Sequence, residues 1–97
     1  MVENAIAEVG IDEERRLWVR PSGGSFDAIY RAGMEVRWDH ERKRLFGPPP
    51  REWSYPRWFE QIVAAAADEY GVSLKLTSET GWQNVPHEVK AAIEGEA

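Results

Sequence analysis

The segment from Ser54 to Tyr70 constrains the fold of this chain more than any other. Its apolar side chains recur at the spacing of one helix face, and they are Phe59, Ile62, Val63, Ala66 and Tyr70. Ser54 is suited to cap the first turn, Pro56 fits inside that turn, and Gly71 is suited to end the helix. The pattern predicts one long amphipathic helix, whose apolar stripe must be buried against another element.

Strands that precede and follow this helix in the sequence are predicted to supply the surface that buries its apolar stripe. Residues 72–77 alternate apolar and polar side chains, which is typical of a strand packed beneath the helix. Upstream, one hairpin is predicted to join strands at 8–11 and 16–21, and a second hairpin to join strands at 34–38 and 44–46. Pro48 to Pro50 then break the chain, because proline cannot donate to a strand ladder or a helix.

Two short helices complete the prediction. One is expected over 25–33 with Ser25 as its cap, and the other opens at Pro86 and runs through Ile93. Residues 78–84 are interpreted as irregular, with Trp82 turned inward. The element order is then ββαββαβα.

This order predicts an α+β fold. Its sheet is dominated by antiparallel pairing and has about five strands, formed by the two hairpins plus one strand, with the long helix and the two short helices on one face. We expect residues 1–97 to form a single compact domain, since a chain of roughly 100 residues has the usual size of one domain with one core.

The composition excludes several function classes. The chain has no cysteine, which excludes disulfides, thiolate nucleophiles and Cys-ligated metal sites. Its first residues carry acidic rather than basic groups and no apolar run reaches the ~20 residues of a membrane span, so we expect a cytoplasmic protein without a membrane interaction. We expect no cofactor and no metal.

Charge is distributed unevenly along the chain. Residues 15–57 hold ten of the twelve basic residues and only five of the seventeen acidic ones, although the net charge is −5. Such segregation indicates that oppositely charged parts face each other, or that the basic part faces an acidic partner or a second copy. A pI near 5.0 disfavours general binding to nucleic acid.

Several segments together resemble a known family. They are 17–19, 29–32, 50–55, 58–59, 69–71, 76–77 and 82–86, and they cover most of residues 9–94. In these segments the chain resembles small bacterial proteins associated with integron mobile gene cassettes. The resemblance implies a compact α+β fold in the bacterial cytoplasm, and it implies no activity, cofactor or catalytic residue.

The segment before and into the long helix is the first candidate for function. It mixes guanidinium groups with aromatic rings, at Arg51, Trp53, Tyr55, Arg57 and Trp58. This combination suits stacking and the capture of a carboxylate or phosphate near a helix N-terminus. The alternative is structural: the tryptophans anchor the helix on the sheet and Ser54 caps it.

A second candidate lies on the first hairpin. Trp18 and Arg20 point to the sheet face opposite Leu17 and Val19, because strand side chains alternate. Five tryptophans exceed what a core of this size needs, and exposed tryptophan and arginine are enriched at interfaces. We therefore predict a non-enzymatic binding or interaction protein that forms a homodimer and binds a small anionic ligand or a protein partner.

Two other functions stay open. A small enzyme acting on an anionic molecule would use Glu52 or Asp39 as a base and an arginine as a clamp, but no known nucleophile and base arrangement is present. A nucleic-acid-binding regulator or antitoxin would use the basic middle of the chain. Asp39, His40 and Glu41 are interpreted as a hairpin turn rather than as metal ligands.

Overall fold

The computed structural model describes residues 2–96 and contains six strands, two α-helices and one short 3₁₀ helix. In chain order these are β1 (Val2–Ile11), β2 (Leu17–Pro21), the 3₁₀ helix (Ile29–Arg31), β3 (Arg37–Asp39), β4 (Arg44–Phe46), α1 (Tyr55–Tyr70), β5 (Val72–Lys75), β6 (Gly81–Gln83) and α2 (His87–Glu96). The mixed α+β class predicted from the sequence is confirmed. None of the helices within this range has the length and apolar character needed to cross a bilayer.

Helix α1 has the ends that the sequence predicts. The Ser54 side chain accepts a hydrogen bond from the Arg57 amide, which satisfies one of the free amides of the first turn. Gly71 ends the helix in the left-handed region with φ +64°, and its amide donates back to the Ala67 carbonyl. The helix buries the side chains of Trp58, Phe59, Ile62, Ala65 and Ala66.

The sheet has the strand order β3-β4-β2-β1-β5, and β6 also pairs with β1. The pairings β1–β2, β2–β4 and β3–β4 are antiparallel, so the predicted dominance of antiparallel pairing is confirmed. The two pairings of β1 with β5 and β6 are parallel. Both predicted hairpins are present, and they place β1 and β2 at the centre of the sheet.

The predicted strand count is wrong by one, because β1 is longer than its local pattern indicates. The prediction began this strand at residue 8, but it begins at Val2, and its first four residues pair with β5. Its second half pairs with β6, in a segment predicted to be irregular. The Thr80 hydroxyl, buried between β5 and β6, donates to the Ile6 carbonyl at 2.7 Å. Because β5 and β6 lie far from β1 in the sequence, no local pattern predicts that they pair with it.

The short helix predicted over 25–33 is also wrong. Only Ile29–Arg31 form one 3₁₀ turn, and Ser25 does not cap it. Phe26 packs edge-on against Tyr70 at 5.0 Å, and the Ala28 amide donates to the Tyr70 hydroxyl, which ties this connection to the end of α1. Strand β3 begins at Arg37 rather than residue 34, because the Val36 amide closes a turn onto the Gly33 carbonyl.

The core lies on one face of the sheet, beneath both helices. It combines Leu17 and Val19 of β2 with Ile62 of α1 and Ile93 of α2, all fully or almost fully buried. Trp82 packs against this core while remaining half-buried. The alternation of β2 then turns Trp18 and Arg20 to the opposite face, as the sequence predicts.

Candidate functional site

The helix-approach segment, residues 51–58, is organised mainly by packing. Trp58 is 8% exposed and belongs to the core. The Trp53 ring lies 4.8 Å from the Trp58 ring, and the Arg57 guanidinium lies 4.6 Å from the centroid of Trp53. Arginine thus forms the outer layer of a stack whose base is the core, an arrangement that stabilises the start of α1.

The remaining side chains of this segment have local structural partners or face solvent. The Tyr55 hydroxyl donates to the Arg15 carbonyl at 2.9 Å and joins the helix to the β1–β2 turn. Arg51 and Glu52 are exposed. Two surface depressions, of about 560 Å³ and about 320 Å³, are lined by other residues, and no residue of this segment lines either of them. The structure therefore brings Trp53, Arg57 and Trp58 together, but against the core.

The second candidate region is the open sheet face, defined as the sheet surface turned away from both helices. Strand pairing sets Gly10 of β1 beside Trp18 of β2, and Trp18 beside Phe46 of β4. Because side chains two residues apart share a face, Glu8, Arg20 and Arg44 lie on the same surface. The two predicted residues, Trp18 and Arg20, therefore share this face with Glu8, Gly10, Arg44 and Phe46, which the prediction did not include.

Trp18 is buried by its neighbours on this face and not by the core. Only 6% of it is exposed, yet within the described residues it lies outside the cluster of buried core side chains. The indole covers Gly10, where a Cβ atom would lie 2.8 Å from the indole nitrogen and closer still to two ring carbons. The Arg44 guanidinium covers the ring at 4.2 Å from its centroid. Only glycine at position 10 therefore leaves room for the Trp18 indole, because any Cβ atom would overlap the ring.

Arg16 makes a parallel arrangement on Phe46, at 4.7 Å from the ring centroid. Unlike Arg44, it is paired, with Asp12 at 2.8 Å and with Glu14 at 3.1 Å. Burial raises the pKa of the Asp12 carboxyl, but hydrogen bonds from the Arg16 amide and guanidinium outweigh burial and hold that pKa below its ordinary value. This pair closes the β1–β2 turn and fixes Arg16 across the face.

A further polar chain runs along the other side of Trp18. The Arg20 guanidinium donates to the Glu8 carboxylate, which also accepts from the Gln83 side-chain amide at 2.9 Å. The chain connects β2, β1 and β6. Arg20, predicted as a binding residue, is therefore already engaged with a carboxylate.

An open depression of about 560 Å³ lies on this face above Trp18. Its walls are the β1–β2 turn, the β3–β4 hairpin and the end of β6, and its lining includes Glu8, Asp12, Glu13, Glu14, Arg16, Trp18, Arg42, Arg44, Gln83 and Asn84. A smaller depression of about 320 Å³ lies beyond Arg16 and Glu14, which line both. The open sheet face therefore offers a concave polar surface.

Arg44 differs from the other arginines around the larger depression. It is half-buried, and although its backbone pairs with Asp39 of β3, its guanidinium makes no hydrogen bond or ion pair with any residue in the range 2–96. Burial lowers the pKa of its guanidinium, and the neighbouring Arg42 charge lowers that pKa further. A partly desolvated cation is thus held on an aromatic ring beside a cavity.

Asp39 is the acidic residue nearest in register to Arg44, but its carboxylate is already occupied. It pairs with Arg42 at 3.4 Å and accepts the amides of Glu41 and Arg42 at 3.0 Å each. The hydrogen bond from the Arg42 amide is the main reason why the pKa of Asp39 lies below its ordinary value. A carboxylate bound in this way is a poor general base.

The other groups considered for chemistry do not converge. Glu52, the second proposed base, and both histidines are exposed. Across residues 2–96, no group of three or more His, Asp or Glu side chains is placed to hold a metal ion. Among the described residues, the open sheet face therefore presents a guanidinium beside a depression, but it does not bring a base, a nucleophile and a clamp together in one place.

Sequence reasoning missed Gly10, Arg16, Phe46 and Arg44. A usable signal existed for Gly10, since a glycine inside a strand often marks a place where another group approaches the backbone closely. No comparable signal existed for Arg44. Its position over Trp18 depends on the pairing of β2 with β4, which the sequence alone does not reveal.

The chain is similar to one family of known proteins and to a solved structure. The family described as Integron Cassette Protein Hfx_Cass5 matches residues 4–80. A solved structure, the Integron Cassette Protein Hfx_Cass5 from the mobile metagenome of North West Arm Sewage Outfall, is 42% identical, with 99% of this chain and 96% of that chain covered and a TM-score of 0.51. None of the curated proteins matches. The resemblance predicted from the sequence is confirmed.

Proposed function

The chain belongs to the integron cassette protein family Hfx_Cass5, and we propose that it is a non-enzymatic binding protein whose recognition surface is the open sheet face. One observation carries this proposal. Arg44 is half-buried on Trp18 beside a depression of about 560 Å³, and its guanidinium has no hydrogen-bond or ion-pair partner among residues 2–96. A cation placed in this way is stabilised by an anionic group that enters the depression.

Two features favour binding over catalysis at this surface. Asp39 is paired with Arg42 and accepts turn amides, which lower its pKa and make it a weak base. Glu52 lies in the helix-approach segment, which lines neither depression. A depression of this volume falls within the range of small-molecule sites, roughly 300–1,000 Å³.

Thermal unfolding in the presence of three ligand classes tests this proposal. The classes are amino acids, monocarboxylates and phosphate esters, each at millimolar concentration. A ligand that binds only the folded state raises Tm by mass action. We expect at least one class to stabilise the wild type and the Ser54→Ala variant, which alters only the cap of α1, and to have a smaller effect on Gly10→Ala, which displaces Trp18. Absence of stabilisation by all three classes contradicts the proposal.

We also propose that the protein forms a homodimer. Tyr30 and Met34 lie four residues apart in the connection between β2 and β3, and they are 58% and 85% exposed. Large apolar side chains that are exposed within one connection favour association when a partner surface can cover them. Light scattering after size-exclusion chromatography should give the mass of two chains for the wild type and of one chain for Met34→Glu. A single-chain mass for the wild type at micromolar concentration contradicts this part of the proposal.

A further inference from the structure

The walls of the larger depression carry charges of both signs. Glu13 and Glu14 come from the β1–β2 turn, whereas Arg42 and Arg44 come from the β3–β4 hairpin. Side-chain amides from Gln83 and Asn84 lie at the third wall. Glu8, Asp12 and Arg16 also line the depression, but Glu8 pairs with Arg20, and Asp12 pairs with Arg16. Apart from these pairs, a molecule in this space meets arginines at the β3–β4 hairpin and carboxylates at the β1–β2 turn.

The arginine side offers one free binding group. Arg42 is paired with Asp39, and Arg16 is paired with Asp12 and Glu14, but Arg44 has no such partner in the described chain. Its contact with the Trp18 ring restricts its position while leaving it in the lining of the depression. A guanidinium held in this way is suited to a carboxylate, because its donors match the two carboxylate oxygens.

The acidic side restricts what else the molecule can carry. Glu13 is exposed and makes no ion pair with any residue from 2 to 96, and the nearby Glu14 has only Arg16. A ligand with two or more negative charges would be repelled by this wall. A cationic amine would instead be attracted to it, and the near balance of charge around the depression favours a ligand that is itself balanced.

From this arrangement we infer that the depression binds a small zwitterion, a molecule that carries a carboxylate and a cationic amine. The carboxylate binds Arg44, and the amine lies toward Glu13 and Glu14. This inference rests on the proposed function, because it names the ligand class for the same surface. It assigns Arg44 as the residue that selects for the carboxylate and Glu13 as the residue that selects for the amine.

Calorimetric titration of the full chain with three matched probes tests the inference. The probes are 4-aminobutyrate, butyrate and inorganic phosphate. We expect 4-aminobutyrate to bind at least several-fold more tightly than the other two. Arg44→Gln should weaken its binding by about tenfold to a hundredfold, since a hydrogen-bonded charged contact is lost. Arg44→Lys should weaken it less, because the charge remains.

Two further variants make the result specific. Glu13→Gln should weaken the binding of 4-aminobutyrate but not that of butyrate, which has no amine and gains from the loss of a negative charge, so the preference for 4-aminobutyrate should fall. Lys90→Gln, which removes a cation lying 5.5 Å from the Trp82 ring, is the matched control and should leave all three affinities unchanged. Near-ultraviolet circular dichroism checks that each variant retains the folded packing of its aromatic side chains.

The outcomes separate this inference from the proposed function. Tighter binding of phosphate or butyrate that depends on Arg44 overturns the zwitterion class and leaves the open sheet face as the binding surface. Binding of 4-aminobutyrate that is insensitive to Arg44→Gln overturns the assignment of Arg44. Binding of none of the three probes also overturns the inference, and the thermal measurements with the wider ligand classes then decide the proposed function separately.

Discussion

Two regions of this molecule place an arginine over a tryptophan, and they do so with different consequences. In the helix-approach segment, Arg57 covers Trp53, which in turn covers the core residue Trp58. On the open sheet face, Arg44 covers Trp18, whose other side rests on the backbone at Gly10. The first stack covers the core, whereas the second holds beside a depression a guanidinium that has no ion-pair partner within residues 2–96. The same pair of residue types therefore supports packing in one place and, in our proposal, recognition in the other.

Truncation of Trp58 and of Trp18 should give the largest difference in stability between the two regions. Trp58→Ala leaves a cavity in the core and should lower the free energy of unfolding by about 3–5 kcal/mol. Trp18→Ala should cost less, because solvent and the stems of the neighbouring arginines can fill the space on an open face. Urea denaturation of both variants measures the difference. Equal losses would mean that Trp18 is also a core residue.

Addition of one methyl group tests the contact between Trp18 and the backbone. Gly10→Ala must displace the indole and should destabilise the fold by about 1–3 kcal/mol. Gly23→Ala is the matched control, since no atom of the described chain lies within 4 Å of the added Cβ and its φ is not positive. Near-ultraviolet circular dichroism should change for Gly10→Ala only. Indistinguishable unfolding curves for the two variants would contradict the close approach of Trp18 to β1.

Loss of the helix cap should affect the helix-approach segment alone. Ser54→Ala removes the acceptor of the Arg57 amide and should cost about 0.5–1 kcal/mol, toward the lower part of the usual range because the hydrogen bond is long at 3.4 Å. Ser54→Asp should restore stability, because aspartate is an equally good cap. Thermal unfolding measures both. A loss of ligand binding in Ser54→Ala would show that the two regions are coupled.

Acid should act on the open sheet face through Asp12 and Asp39. Both carboxyl groups have pKa values below ordinary in the folded protein. Their stabilising contribution is therefore complete above the unfolded pKa of about 3.9, and it is lost as the pH falls through the folded values. Asp12→Asn should make the free energy of unfolding fall less steeply as the pH decreases below about pH 4. The total difference from the wild type over this range should be about 1 kcal/mol or less. An unchanged slope would contradict the pairing of Asp12 with Arg16.

The parts of the fold set by local chemistry were predictable from the sequence. The cap at Ser54, the apolar stripe and Gly71 define α1 without reference to any other element. The alternation of β2 likewise placed Trp18 and Arg20 on the face opposite Leu17. By contrast, β6 exists because Gly81–Gln83 pair with the second half of a strand more than seventy residues earlier. Such a pairing has no local signature.

The candidate site divides in the same way. Arg51, Trp53, Tyr55, Arg57 and Trp58 were recognised together because they are adjacent in sequence, and the structure gives three of them to one packed stack. Arg44, Phe46 and Gly10 were missed because they come from two strands, β4 and β1, that are distant in sequence, and strand register alone places them around Trp18. A site assembled across strands is visible only once the sheet is known.

The most direct test of this account is the response of the tryptophan indole signals to ligand. The protein has five tryptophans, and their indole N–H groups give separate signals in ¹H–¹⁵N spectra. Titration with 4-aminobutyrate, or with whichever class raises Tm, should shift the Trp18 signal in a saturable way and leave the Trp53 and Trp58 signals in place. Shifts at Trp53 and Trp58 without a shift at Trp18 would place recognition at the helix-approach segment and contradict the account.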